Sequence, residues 1–386
     1  MADKLHQPDY TRSLVNLMAS IGSALGAGDN GYAPLVELPP SQLQERPVIL
    51  LLIDGMGETV LEHFPDSHLA RARVASLTSV FPSTTASAVT SYTSGAAPQQ
   101  HAITGWHMWL KELGSVAAIL PFAPRHGGPS YSSAGWNPAA LIGARPLFER
   151  INVPGYLLSP GYIADSDYSR ASAGPARRLS HNSMEEFFDG IVHRARSGTP
   201  SYTFAYWTEL DGLAHYHGIH SPQVSKHFLA LDKAFGETVT ALRGSGALLL
   251  VSADHGLIDT TPERTLRLEE HPALATTLAL PLCGEPRAAY CYVRPGQETA
   301  FLDYVNNNLA HACDVLPSVR MVADGWFGRG TPHPHLLERI GDYVLLMKEN
   351  YVLRDRLANE RPFSQIGVHG GASRAEMAIP LLRCAL

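Results

Sequence analysis

The chain has 386 residues, enough for about two or three average domains or one large α/β core with insertions, and its 45% apolar content is ample for burial. Only 17% of residues are charged and the formal net charge is −6, with no Lys/Arg run, which excludes a protein built to neutralise nucleic-acid backbones or anionic lipid. Its four cysteines, Cys283, Cys291, Cys313 and Cys384, form no Cys-x-x-Cys pair, which argues against a disulfide framework or a thiolate metal site and for reduced core residues.

The amino terminus starts polar and lacks an apolar leader, and no apolar run approaches the ~18 residues of a membrane span. A soluble, cytoplasmic protein is expected. Over 10–26, Leu14, Leu17, Met18, Ile21 and Leu25 fall at helical spacing and Gly26 and Gly28 close the segment, which predicts a peripheral helix before the core. A linker with Pro34, Pro39 and Pro40 leads to PVILLLIDGMG. Val48 to Ile53 is a continuous apolar run bounded by turn signals, the pattern of a strand buried on both faces of a parallel sheet, and Asp54 ends it.

The same pattern recurs along the chain. A strand over 74–80 delivers the chain to the hydroxyl-rich FPSTTASAVTSYTSG; 155–160, 201–212 and 247–256 read as further strands. Helices are expected over 144–152, 182–197 and 223–243. Strand–helix alternation implies a three-layer α/β/α sandwich with a mostly parallel central sheet, whose ligands bind outside the carboxyl ends of the strands. From about 260 to 345 the pattern loosens into a smaller α+β unit, with strands at 288–295 and 343–353, a helix at 297–311 and a Gly/Pro/His-rich loop at 325–335.

Polar residues collect at the strand ends. Asp54 follows one strand, Asp254 and His255 another, Asp211 and His215 a third, and His369 lies in GVHGG near the end of the chain. At i and i+4, Asp211 and His215 share one face of a helical turn. Three Asp and three His form a mixed oxygen and nitrogen donor set, appropriate for zinc and tolerable for manganese or iron. Six ligands exceed one tetrahedral site and suit two metals ~3.5–4 Å apart, which can clamp both sides of a displacement at phosphorus.

VILLLIDGMG, FPSTT…TSG, TELDGLAH, VSADHG and GVHGG occur in an order and spacing that resemble the alkaline phosphatase superfamily, most closely its nucleotide pyrophosphatase/phosphodiesterase branch, from about residue 47 to the end. The resemblance implies one catalytic domain over 1–386, with an N-terminal helical extension over 1–33 and an inserted subdomain at about 260–345. It also implies a threonine nucleophile three residues after a Pro and ten before a Gly, and counting from Pro82 and from Gly95 both give Thr85. In its terms one metal is held by Asp211, His215 and His369, and the other by Asp54, Thr85, Asp254 and His255, with two Zn2+ per chain expected. A helix over 85–94, closed by Gly95, would turn its free N–H groups toward the phosphoryl group.

The implied activity is metal-dependent hydrolysis of phosphodiester or phosphoanhydride bonds through a phosphothreonine, on a small phosphoester or nucleotide rather than a nucleic-acid polymer or a membrane. Phosphonate hydrolysis and phosphomonoesterase activity are the enzymatic alternatives, and an inactive metal-binding protein the alternative of another class. The resemblance further implies Asn three residues after the nucleophile, where this chain has Ala88. Few Arg or Lys residues neighbour the motifs, which favours a diester monoanion over a phosphomonoester dianion. His101, His107 and His126 read as loop residues, His217 and His220 as surface or substrate-side residues, and Trp106, Trp109, Tyr131, Trp136 and Tyr162 mostly as rim packing.

Overall fold

The apolar run Pro47–Ile53 forms a strand buried along its whole length, between the parallel strands Ser201–Trp207 and Leu248–Ser252. Its side chains alternate between two faces, so complete burial requires a covered layer on each side. In this computed structural model, which describes residues 5–358, 360, 362 and 364–386, the full sheet runs Arg73–Thr78, Ala378–Ala385, Leu248–Ser252, Pro47–Ile53, Ser201–Trp207, Gly155–Pro160 and Arg177–His181. Only Ala378–Ala385 is antiparallel to its neighbours. One group of packed helices includes Met184–Ala195, Glu209–His217 and Pro222–Ala241; another joins Leu14–Ala24 to Thr85–Ser94. The expected mostly parallel α/β sandwich is the architecture observed.

Helix Leu14–Ala24 departs from the peripheral position expected for it, because residues 14–22 are all buried. The segment that follows covers its polar face: Asn16 Nδ2 donates to Ala33 O at 2.9 Å, and the Leu35 N–H donates to Ser20 Oγ at 2.8 Å. Residues 1–4 of the expected extension lie outside the described residues. The helix expected over 144–152 is reduced to the 3-10 turn Leu147–Glu149, entered from Pro146, whose missing N–H and fixed φ break the run.

A second, antiparallel sheet stacks Cys313–Pro317, Tyr343–Met347, Ala288–Cys291, Cys283–Glu285, His107–Leu110, Ser115–Ala118 and Ala123–Pro124. It therefore draws on 107–124 as well as the 260–345 segment expected to form the smaller unit. The strand expected over 343–353 is divided, with Val352–Arg354 leaving to pair in parallel with Thr265–Arg267. No helix among the described residues is long and apolar enough to cross a membrane.

Candidate metal-dependent active site

All seven residues singled out in the sequence meet at the carboxyl ends of the central strands. Asp54 directly follows Pro47–Ile53, with its N–H on Trp207 O at 2.9 Å. Asp254 and His255 leave Leu248–Ser252, Asp211 and His215 lie on the helix after Ser201–Trp207, and His369 follows Gly367–Val368. The two loops that carry Asp54 and His255 touch through glycine: a Cβ on Gly57 would stand 2.6 Å from Gly256 Cα. No larger residue fits at that crossing without moving one of the loops.

Donor atoms of Asp54, Asp254 and His255 lie within 4.8 Å of one another, as do those of Asp211, His255 and His369. His215 Nε2 is 3.2 Å from Asp211 Oδ2 and its ring is 5.0 Å from that of His369. His255 thus stands between the two groups that the resemblance keeps apart. Thr85 is the first residue of helix Thr85–Ser94, and its Oγ1 is 3.1 Å from His255 Nε2. Its neighbour Thr84 is the extended N-cap.

The three histidines are oriented alike. His215 Nδ1 meets Gly367 O at 2.7 Å, His255 Nδ1 meets Gly256 O at 3.1 Å, and His369 Nδ1 meets Ser83 O at 3.1 Å. A carbonyl can only accept, so each Nδ1 carries the hydrogen, and in the neutral ring each Nε2 turns its lone pair to the site. Asp54 Oδ1, Asp211 Oδ1 and Asp254 Oδ2 are buried without a hydrogen-bond donor among the described residues. Three uncompensated carboxylate oxygens beside three inward imidazole lone pairs fit divalent cations.

The buried groups perturb one another strongly. Burial and the charges of Asp254 and Asp211 push the Asp54 carboxyl well above its usual range. Burial works against the charge of Asp211 also, but His215, His369 and His255 hold it well below that range. Burial opposes a charge on His215, which Asp211 nevertheless raises to about 9, whereas burial and His255 hold His369 well below its usual value.

A cavity of about 600 Å3 opens on Thr85, Asp211, His215 and His369. Arg125, Arg267, Arg354 and Arg356 also line it, which corrects the expectation of an arginine-poor site. These arginines lie far from the motifs in sequence and arrive through long-range pairing. Trp106 and His107 line the cavity, whereas Trp109, Tyr131, Trp136, Tyr162, His126, His217 and His220 are not among its lining residues, and His101 is fully buried. Ala88 belongs to the main apolar core and is not among the residues that line the cavity. Two further residues carry no motif signal: Glu285, which accepts the Trp106 N–H at 2.7 Å, and Tyr206, whose hydroxyl donates to Asp54 Oδ2.

A family model described as type I phosphodiesterase / nucleotide pyrophosphatase matches residues 48–372. No curated protein matches the sequence significantly. Among solved structures, murine ectonucleotide pyrophosphatase / phosphodiesterase 5 is similar at 18% identity and TM-score 0.63, over 86% of this chain and 87% of that one. An inactive threonine-to-alanine form of that murine protein, in complex with AMP, gives TM-score 0.62 at 18% identity over 87% of both chains. Phosphonoacetate hydrolase from Sinorhizobium meliloti, in complex with phosphonoacetate, gives 0.64 at 17% identity over 88% of this chain and 90% of that one. At such identities the likeness is one of fold.

Proposed function

The chain belongs to the type I phosphodiesterase / nucleotide pyrophosphatase family, and from that premise we propose that it hydrolyses phosphodiester or phosphoanhydride bonds of small substrates through a phosphothreonine at Thr85. The observation that carries this reading is the placement of the Thr85 hydroxyl 3.1 Å from His255 Nε2, inside a ring of inward-facing imidazoles and carboxylates. Asp54, Thr85, Asp254 and His255 would hold one divalent cation and Asp211, His215 and His369 a second, zinc being the expected metal. Cations bound there would lower the pKa of the threonine hydroxyl and offset negative charge on the reacting oxygens.

The chain's own residues do the rest. The Thr85 oxygen, its proton passed to water, bonds to phosphorus as the bond to the leaving oxygen breaks; water then cleaves the phosphothreonine, which releases the phosphoryl product and returns the hydroxyl. First-turn N–H groups of helix Thr85–Ser94 have no intrahelical acceptor and can receive a phosphoryl oxygen at the positive end of the helix. The inactivity of the murine protein in its threonine-to-alanine form supports a threonine role of this kind. Unpaired cysteines, three of them buried, suit the reducing cytoplasm. A phosphonate substrate is the second reading, favoured by the fold shared with phosphonoacetate hydrolase and by the arginines in the cavity.

The test compares bis(p-nitrophenyl) phosphate, p-nitrophenyl phosphate and phosphonoacetate with the zinc-loaded protein and Thr85→Ala. The diester is expected to be the best substrate. Turnover should fall by about three orders of magnitude or more in the variant. An unchanged rate would remove Thr85 from its role, and a preference for phosphonoacetate would select the second reading.

A further inference from the structure

The donor groups of the catalytic site rest on different kinds of support. Asp54, Asp254 and His255 follow central strands that are buried along their whole length. Asp211 and His215 stand instead on helix Glu209–His217, and His369 follows the two-residue strand Gly367–Val368. That short strand is held by two neighbours. On the helix, the Ile366 N–H donates to His215 O at 2.8 Å and His215 Nδ1 donates to Gly367 O at 2.7 Å; a Cβ on Gly367 would stand 2.4 Å from Ala214 O. The other neighbour is Ile258–Asp259, which pairs with it antiparallel, Asp259 opposite Gly367, while the Thr260 N–H donates to Ile366 O at 2.8 Å.

The Asp259 side chain joins those two neighbours directly. Its Oδ1 accepts the Ile219 N–H at 2.7 Å, just past the end of helix Glu209–His217. Gly218, in the turn between them, has φ +88°, and a Cβ there would stand 2.9 Å from Asp259 Oδ2. Only glycine provides both the conformation and the space, so the turn is shaped to receive this carboxylate. Ile219 is buried, and its N–H needs an acceptor. Helix stability alone would not select an acid here, because the carboxyl end of a helix carries partial negative charge. Asp259 also lies four residues after His255, so one side chain ties the segment bearing His255 to the helix bearing Asp211 and His215.

We propose that Asp259 is a positioning residue that sets the spacing between the Asp211/His215/His369 group and the Asp54/Asp254/His255 group, through the Ile219 N–H and strand Gly367–Val368. This role rests on the two-cation phosphoester-hydrolase reading above and deepens it. Asp259 is not among the residues that line the cavity, and it acts through the ligands it holds. A clamp of two cations on phosphorus depends on their separation, which this hydrogen bond fixes.

The test titrates zinc, by calorimetry and by competition with a chromogenic chelator, into metal-free wild type, Asp259→Ala, Asp259→Asn and Asp259→Glu. Wild type is expected to take up two zinc ions per chain. Asp259→Ala should weaken one of them at least about tenfold, as loss of a partner behind metal ligands commonly does, and leave the other within about twofold. Asp259→Asn, whose amide oxygen can still accept the Ile219 N–H, should bind both within about twofold of wild type. Asp259→Glu keeps the charge but displaces the carboxylate by a methylene, so it should weaken the same ion as the alanine variant; its contrast with Asp259→Asn decides the matter if Asp259→Ala does not fold. Two ions in wild type with equal weakening of both in the variants, or with none, overturns the role of Asp259 alone, as does an asparagine variant as impaired as alanine or glutamate. Wild type that takes up fewer than two zinc ions overturns the two-cation reading itself, and the positioning role with it.

Discussion

Asp54 is buried with two acidic neighbours, and its two oxygens have different surroundings. Oδ2 accepts the Tyr206 hydroxyl, while Oδ1 faces His255 Nε2 at 3.6 Å. Burial first, and then the Asp54 charge, raise the Tyr206 phenol well above its usual range, so it stays a donor at any working pH. The phenol therefore fixes the carboxylate with one oxygen toward the site, as partners behind metal ligands commonly do. Tyr206→Phe keeps the ring and removes the donor; cation affinity, measured by competition with a chromogenic chelator, should fall about tenfold or more. Affinity within twofold of wild type would show that the hydroxyl serves packing alone. Nothing in SYTFAYW marks Tyr206 as special, because a fully buried strand reads only as apolar pattern. Thr85 was singled out for the opposite reason: the resemblance supplies two fixed spacings, from Pro82 and to Gly95, and both reach it.

Between elements, the loop bearing His369 is tied to the second sheet by one buried network. Glu376 accepts Arg287 Nε at 3.1 Å and Nη2 at 2.9 Å, the Gly371 N–H at 2.8 Å and Ser373 Oγ at 2.7 Å. Burial would raise its carboxyl, but Arg287 holds it below the usual range. Removing the guanidinium leaves a buried carboxylate short of its counterion, which typically costs about 3–5 kcal/mol. Arg287→Met is thus expected to lower the unfolding free energy measured in urea by that amount and to weaken cation binding, since Gly371 lies two residues from His369. A variant as stable as wild type would show the ion pair to be dispensable. The central strands were readable because each is a long apolar run ending in a carboxylate. The first strands of the second sheet were not, since segments as short as HMWL and SVAA take their identity from partners: His107 pairs with Ala118 and with Gly284. Helix Leu14–Ala24 was recognised, but its burial depends on the Ala33–Leu35 segment folding back over Asn16 and Ser20, which no helical period reveals.

Across the molecule, the gathering of candidate ligands was legible because parallel strands bring their carboxyl ends to one edge, so Asp54, Asp211, Asp254 and His255 converge by topology, while His369 arrives through the pairing of Gly367–Val368 with Ile258–Asp259. The placement of Arg267 and Arg354 in the cavity depends instead on pairing between Thr265–Arg267 and Val352–Arg354, and one sequence does not encode that pairing locally. The packing that completes the fold also sets its acid limit. His101 is held neutral: Nδ1 accepts the Ile103 N–H at 3.0 Å, and Nε2 lies 3.0 Å from Ser91 Oγ. Burial lowers it to about 3 from an ordinary value of 6.5, and burial does the same to His107. Such groups bind a proton in the unfolded chain before they do so in the fold, so their stabilisation is complete above pH 6.5 and is lost as pH falls toward 3. Each then costs about 1.4 kcal/mol per pH unit through that window. Urea unfolding of wild type and His101→Gln between pH 7 and pH 4 isolates this contribution, because acid release of metal ligands is common to both proteins. The variant should lose stability on acidification more slowly by about one proton's slope; parallel curves would mean that His101 is protonated in the fold despite its burial.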